Sequence, residues 1–204
     1  MNPNIHARNL LIVAVLWAFG LILSGWRATD RITWVMEVLP AVIAFAFMWP
    51  TRKTFPLTPL LYALIAIHGL ILMLGGAYTY AKVPLGFWMQ DWFGFTRNNY
   101  DKIGHFAQGF VPAIAARELL IRKFNIHHRK LLPFLCVSIC MAVSAFYELI
   151  EWWTALLMGQ GADDFLGTQG DIWDTQSDMF FAMIGAMVGL VLLTRWHDKQ
   201  IRDV

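Results

Sequence analysis

Six apolar stretches recur along this chain, each close to the length a helix needs to cross a bilayer, and a chain built this way has few folds open to it. They fall at 10–25, 34–49, 57–78, 103–121, 131–157 and 174–193. About 20 helical residues, rising about 1.5 Å each, span the roughly 30 Å hydrocarbon layer. Inside lipid a segment must satisfy its own backbone hydrogen bonds, which a helix does and an isolated strand cannot. The expected fold is therefore all-α: a polytopic membrane helical bundle of about six transmembrane helices, forming one integral membrane domain over residues 1–204. The 58% hydrophobic content excludes an ordinary soluble domain. The formal net charge of +2 gives no reason to expect a nucleic-acid partner, so the partner read from composition is the lipid bilayer. No small-residue cleavage site follows the first run, which is expected to remain as a helix.

The residues that interrupt these runs carry the information. Glu37 and Pro40 lie near the start of the second run, where Glu37 is expected to reach the headgroups. His68 sits near the middle of the third and reads first as a buried histidine bonded to a neighbouring helix, with a functional role as the alternative. Cys136 and Cys140, one helical turn apart, read as buried, inert thiols. Residues 80–100 differ from the rest, mixing Phe87, Trp88, Trp92, Phe93 and Phe95 with Gly, Asp91 and Arg97. Such aromatics favour the headgroup level, so this segment is expected to be an interfacial aromatic loop, able to act as a lid.

With six crossings the termini share a side with the second and fourth loops. That side carries eleven Lys and Arg, and the opposite side five, which predicts cytoplasmic termini. The loop at 159–170, with Asp163 and Asp164 and no basic residue, is then expected to face out.

This orientation brings polar residues from three helices to one level. Asp101, His105 and Gln108 share a face at the outer end of the fourth run, and Glu148 and Glu151 share one near the outer end of the fifth, with Ser144 a turn deeper. Asp171, Asp174 and Asp178 have helical spacing at the head of the sixth. Six carboxylates and one imidazole converge where only Arg97 and Lys102 are near as counter-ions. Like charges at close range cannot all remain ionised without compensation. A divalent cation is the expected remedy, with Glu148, Glu151, Asp171, Asp174 and Asp178 as metal-ligand candidates. Carboxylate oxygen with one imidazole nitrogen suits Mg, Mn, Fe or Zn. A protonated relay and a purely structural polar cluster are the competing readings. Below Asp178 the same face presents Ala182, Gly185 and Gly189, a small-residue stripe for close helix packing. Trp152 and Trp153 read as interfacial anchors.

Three motifs carry a family resemblance. The runs Tyr100-Asp101-Lys102-Ile103-Gly104-His105-Phe106-Ala107-Gln108-Gly109-Phe110, Phe146-Tyr147-Glu148-Leu149-Ile150-Glu151-Trp152 and Phe165-Leu166-Gly167-Thr168-Gln169-Gly170-Asp171-Ile172-Trp173-Asp174-Thr175-Gln176-Ser177-Asp178-Met179 resemble the YjdF family of bacterial inner-membrane proteins. The resemblance spans essentially the whole chain and implies an inner-membrane location without bringing a reaction with it. More distantly, the order Asp-Lys-x-x-His-Phe, a later Glu and a late Asp before a Gly-rich helix is similar to VanZ-like membrane proteins, some linked to glycopeptide antibiotic resistance. Asp178 stands where those proteins tend to have Asn, and Glu148-x-x-Glu151 replaces a Glu-x-x-Gln-like pattern, which makes this cluster more acidic.

Two functions follow as expectations. One is a membrane-embedded, metal-dependent enzyme acting on a lipid or lipid-linked envelope substrate at the outer face, with His105 as ligand or general base and Asp101 orienting it. The other is a proton- or cation-coupled transporter, or a non-catalytic ion-binding protein, using the same acids. A transporter would continue its polar track inward, yet the inner halves of the fifth and sixth runs offer little beyond Ser138 and two cysteines.

Overall fold

In the computed structural model the described residues are 3–158 and 168–204, with side chains described over 8–157 and 168–204. Asp163 and Asp164 therefore lie outside the described residues. Helices α1 (Pro3–Trp26), α2 (Arg31–Thr51) and α3 (Pro59–Tyr78) are followed by a 3-10 turn (Tyr80–Lys82) and the short α4 (Pro84–Phe93). Three further helices complete the chain: α5 (Tyr100–Arg122), α6 (Leu131–Met158) and α7 (Asp174–Ile201). No strand occurs among the described residues, as the apolar runs predict.

Local chemistry sets the boundaries. Asp30 stands in extended conformation before α2 and accepts from the Thr33 N–H at 2.7 Å, satisfying one donor orphaned at the helix start. Thr58 caps α3 in the same way and Pro59 follows at the first turn, where its missing N–H costs nothing. Gly94 closes α4 in the left-handed conformation (φ 67°) that its missing Cβ permits. Helix α7 runs to Ile201, two turns beyond the expected end at 193, so Arg195 to Gln200 are helical rather than a free basic tail.

Helices α1, α2, α3, α6 and α7 are each long and apolar enough to cross a membrane. Helix α5 has the length, 23 residues, but carries Asp101, Lys102, His105, Arg117, Glu118 and Arg122. Its position explains the composition: it packs against α7, α6 and α3, so most of its faces meet protein rather than lipid. The apolar residues that remain exposed, such as Phe19, Ile22, Phe47, Phe134 and Val191, lie on the outer helices, as a lipid-facing surface requires.

The central seam joins α5 to α7 through small residues. A Cβ added at Gly109 would fall on the Ala182 carbonyl, and one at Gly185 on the Phe106 carbonyl, so glycine is what lets the two backbones touch. This bears out the stripe Ala182, Gly185 and Gly189. Around it one apolar core gathers Ala113, Ile114, Cys136, Cys140 and Ala186, and a second joins α1, α2 and α3 through Trp17, Val38, Tyr62 and Met73. Both cysteines are free and buried, in keeping with inert thiols.

The aromatic segment is a turn plus α4, whose ten residues extend about 15 Å, half of a bilayer's hydrocarbon thickness. Phe87, Trp88, Trp92 and Phe93 are all exposed, the form expected of a segment lying at headgroup level. Buried Asn98 ties it down. Its Nδ2 donates to the Val83 carbonyl at 3.0 Å, its Oδ1 accepts from the Tyr100 N–H, and its backbone pairs with the Gln169 amide at 3.1 and 2.8 Å.

Candidate functional site

The N-terminal ends of α5 and α7 meet at a rim of ion pairs. Arg97, just before α5, donates to Asp101, to Asp174 Oδ1 at 2.6 Å and to the Thr168 carbonyl at 2.6 Å, and lies 3.6 Å from Asp171 Oδ2. Burial alone would loosen its proton, but Asp101, Asp174 and Asp171 more than offset this and push its pKa above the ordinary range. Lys102 Nζ bridges Asp174 Oδ1 at 2.8 Å and Asp178 Oδ1 at 2.7 Å, with Asp101 Oδ2 at 3.5 Å. Two cations thus answer half of the formal charge on four aspartates and contact all four.

Asp171 is not on the helix with Asp174 and Asp178, contrary to the helical spacing. It sits in the turn before α7, where Gly170 adopts φ 86° and Asp171 Oδ1 accepts from the Trp173 N–H at 2.9 Å. The side chain that fits helical periodicity serves a tight turn instead, since Asp readily bonds the backbone two residues on. Asp101 likewise turns to Arg97 and Lys102 rather than to His105.

Below the rim the pairing stops. His105 Nε2 stands 3.6 Å from Asp178 Oδ2, and His105 Nδ1 stands 3.9 Å from Glu148 Oε1. His105 is 9% and Glu148 7% exposed, yet His105 Nδ1, Glu148 Oε1 and the nearby Ser144 hydroxyl have no hydrogen-bond partner. Such orphans are rare in folded interiors and call for an explanation. One ligand atom from each of His105, Glu148 and Asp178 lies within 4.8 Å of the others, a spacing that could hold a metal ion, and the same holds for Asp101, Asp174 and Asp178. The second group is already filled by Arg97 and Lys102; the first is not. Two ligands about 2.1 Å from a common ion at the tetrahedral angle stand about 3.4 Å apart; His105 can offer such an ion one ring nitrogen, Nδ1 on the Glu148 side or Nε2 on the Asp178 side, within the 4.8 Å spread of the group. Glu151 and Asp171 belong to neither group.

A cavity of about 260 Å³ opens beneath this group and runs between α1, α2, α3, α5 and α6. Glu151, Asp178, His105 and Gln108 share its wall with Glu37, Tyr80 and Tyr147. Glu37 was expected at the headgroups; it is instead buried, held by the Tyr80 and Tyr147 hydroxyls. A proline in α2 leaves a further acceptor nearby. Pro40 lacks the N–H that would bond the Met36 carbonyl, and Tyr147 from α6 donates to that carbonyl at 3.4 Å. His68 lines the cavity too, its Nε2 buried without a partner, so the expected bond to a neighbouring helix is absent at that atom.

A second buried charged cluster lies at the opposite ends of the same two helices and has no counterpart in the sequence expectations. Glu118 and His197 are both 0% exposed. Glu118 accepts from His197 Nε2 at 2.9 Å, from the Thr58 N–H at 3.0 Å, from the Thr58 hydroxyl at 2.7 Å and from Arg122 at 2.5 Å. Arg117 pairs with His197 Nδ1 at 3.1 Å and with Asp198. The spacing of Arg117, Glu118 and Arg122 before a loop reads as a solvated helix end, and only the continuation of α7 past 193 reveals their partners.

The family described as "Predicted membrane protein (DUF2238)" matches residues 9–199. The chain is 57% identical over 182 residues, 89% of its own length and 87% of the relative's, to "Inner membrane protein YjdF" of Escherichia coli (strain K12). No solved structure matches, and the similarity to VanZ-like proteins is not confirmed by these comparisons. A multi-pass helical bundle with five apolar spans, matched over nearly its whole length in this way, belongs to the DUF2238 family of predicted membrane proteins, with the inner membrane protein YjdF as a relative.

Proposed function

We propose that this inner membrane protein binds a divalent cation through His105, Glu148 and Asp178, and that the site serves a membrane-embedded enzyme acting on a lipid or lipid-linked envelope substrate. One observation carries the reading. Buried His105 Nδ1 and Glu148 Oε1 lack partners, and Asp178 Oδ2, the oxygen not bonded to Lys102, stands 3.6 Å from the other nitrogen of the same ring. Leaving such groups unpaired in a low-dielectric interior costs several kcal/mol, whereas a cation of the Mg, Mn, Fe or Zn class satisfies them together. Bound there, such an ion supplies a Lewis acid and an activated water. Asp101, Asp171 and Asp174 then act through the rim, holding Arg97 and Lys102 over the mouth, and Glu151 faces the cavity as an acid or base for the substrate.

The alternative, a cation-coupled transporter, needs a second open polar stretch toward the other face. The Glu118–His197 cluster is polar but closed by its own hydrogen bonds, which favours a one-sided site. Cytoplasmic termini, supported by the eleven-to-five distribution of basic residues, put the mouth on the periplasmic side. A cytoplasm-active reporter fused after Val204 is expected to give signal; silence there, with signal from a fusion within 159–170, would invert the orientation. The cation is tested by metal analysis of protein purified without chelator. Wild type should carry stoichiometric metal and the Glu148→Gln/Asp178→Asn double variant none, with both folded; metal-free wild type that takes up none of the four ions would leave the protonated relay as the better account.

A further inference from the structure

The cavity below the cation site changes character with depth. On α5 its lining residues fall on one face, polar at Asp101, His105 and Gln108 and apolar at Val111, Pro112 and Ala115. That face descends about 21 Å at 1.5 Å per residue. The other helices repeat the gradient: Glu37 gives way to Ala41 and Ala44 along α2, and Glu151 and Tyr147 to Val143 along α6. The deep wall is fixed. Trp17 donates its indole N–H to the Ala66 carbonyl at 3.1 Å and lies against Gly69, where a Cβ would meet its ring, so the indole cannot swing in to fill the space.

We infer that this cavity holds the single hydrocarbon chain of a phosphate-headed amphiphile, whose head is bridged by the divalent cation at His105, Glu148 and Asp178. The inference rests on the cation reading of that site, because unpaired carboxylates repel a phosphate unless a metal stands between them. The deep half offers no partner for a polar ligand beyond the lone His68 Nε2, so an apolar chain is the occupant it accommodates best. An apolar cavity of about 150 Å³ takes benzene, so one of this size has room for a chain on the order of ten carbons. The same volume holds one such chain and not a pair.

The experiment uses the full chain in lipid nanodiscs with 10-bromodecyl phosphate, following the part of tryptophan fluorescence that Trp17→Phe removes. Saturable quenching of that part, dependent on Mg or Zn, is expected. Over a hexyl-to-tetradecyl series, competition should tighten by about fourfold per methylene and level off beyond about ten carbons. Ala115→Phe, or Ala44→Leu should the first misfold, should lose the quenching while keeping a metal-dependent rise in melting temperature. A metal-dependent melting shift with no saturable Trp17 quenching would overturn the chain inference and leave the cation site standing. Absence of both would overturn the cation reading itself. Quenching that ignores metal, or that 10-bromodecylamine produces equally well, would overturn the phosphate head.

Discussion

Helices α5 and α7 carry buried charge at both ends, and the two ends are built differently. At one end Glu118 receives hydrogen bonds from His197, Thr58 and Arg122, and Arg117 closes on His197 and Asp198. At the other, the rim of Arg97 and Lys102 is paired, but a layer below it His105 and Glu148 keep atoms with no partner above an open cavity. Burial and composition are much alike at the two ends; satisfaction is not. A saturated network fastens helices together, whereas an unsaturated one holds ligand atoms in readiness at a cost in stability. The difference teaches that a cluster of buried acids is read by its leftover atoms rather than by its charge count.

The largest effect expected of any change that probes this contrast is at the closed end. Glu118→Ala strands the Thr58 N–H, Arg122 and His197 together in a dry interior and should cost about 3–5 kcal/mol in detergent unfolding. Next is the seam common to both ends. Gly109→Ala presses a methyl into the Ala182 carbonyl, backbone that cannot give way cheaply, for about 1–3 kcal/mol. At the open end the sign reverses: without metal, Glu148→Gln removes an unpaired buried carboxyl oxygen and should change stability by no more than about 1 kcal/mol, in the stabilising direction. A large loss there would show that Glu148 is as fastened as Glu118 and would erase the contrast.

The smallest effect serves as a reference outside both clusters. The Thr33 N–H holds the exposed Asp30 carboxyl below its usual pKa, so Asp30→Ala should cost about 0.5–1 kcal/mol at neutral pH. A carboxyl whose folded pKa is depressed stabilises the fold above its unfolded value, and the contribution disappears as pH falls through the folded value. The wild type should therefore converge on Asp30→Ala in acid, and equal separation at all pH values would contradict the cap.

Much of this was legible before the structure. Five of the spans followed from apolar length, though not the extra two turns of α7, and the meeting of α5, α6 and α7 at one level followed from chain direction and helical period, which placed His105, Glu148 and Asp178 together. What stayed hidden depends on partners across the bundle. Glu37 sits near a span's start in the sequence, but Tyr80 and Tyr147 draw it inward. Asp171 has helical spacing, yet the turn at Gly170 takes its side chain. Glu118 and His197 lie 79 residues apart, and no periodicity links them. Arg97 is near the acids as a counter-ion in the sequence reading, but only the fold shows it meeting Asp101, Asp174 and Asp171 at once.

The central claim is that one end binds a cation and the other only fastens the helices, and a single series of melting curves with and without added Mg, Mn, Fe or Zn tests it. A ligand bound only to the native state raises its melting temperature by mass action. Wild type should melt higher with metal; Glu118→Gln should melt lower at the start yet keep the full metal-dependent rise; Glu148→Gln/Asp178→Asn, which also gives up the Asp178 charge facing Lys102, should lose the rise whatever its starting temperature. A rise that survives in the Glu148→Gln/Asp178→Asn variant, or disappears in Glu118→Gln, would place the cation elsewhere and contradict the account.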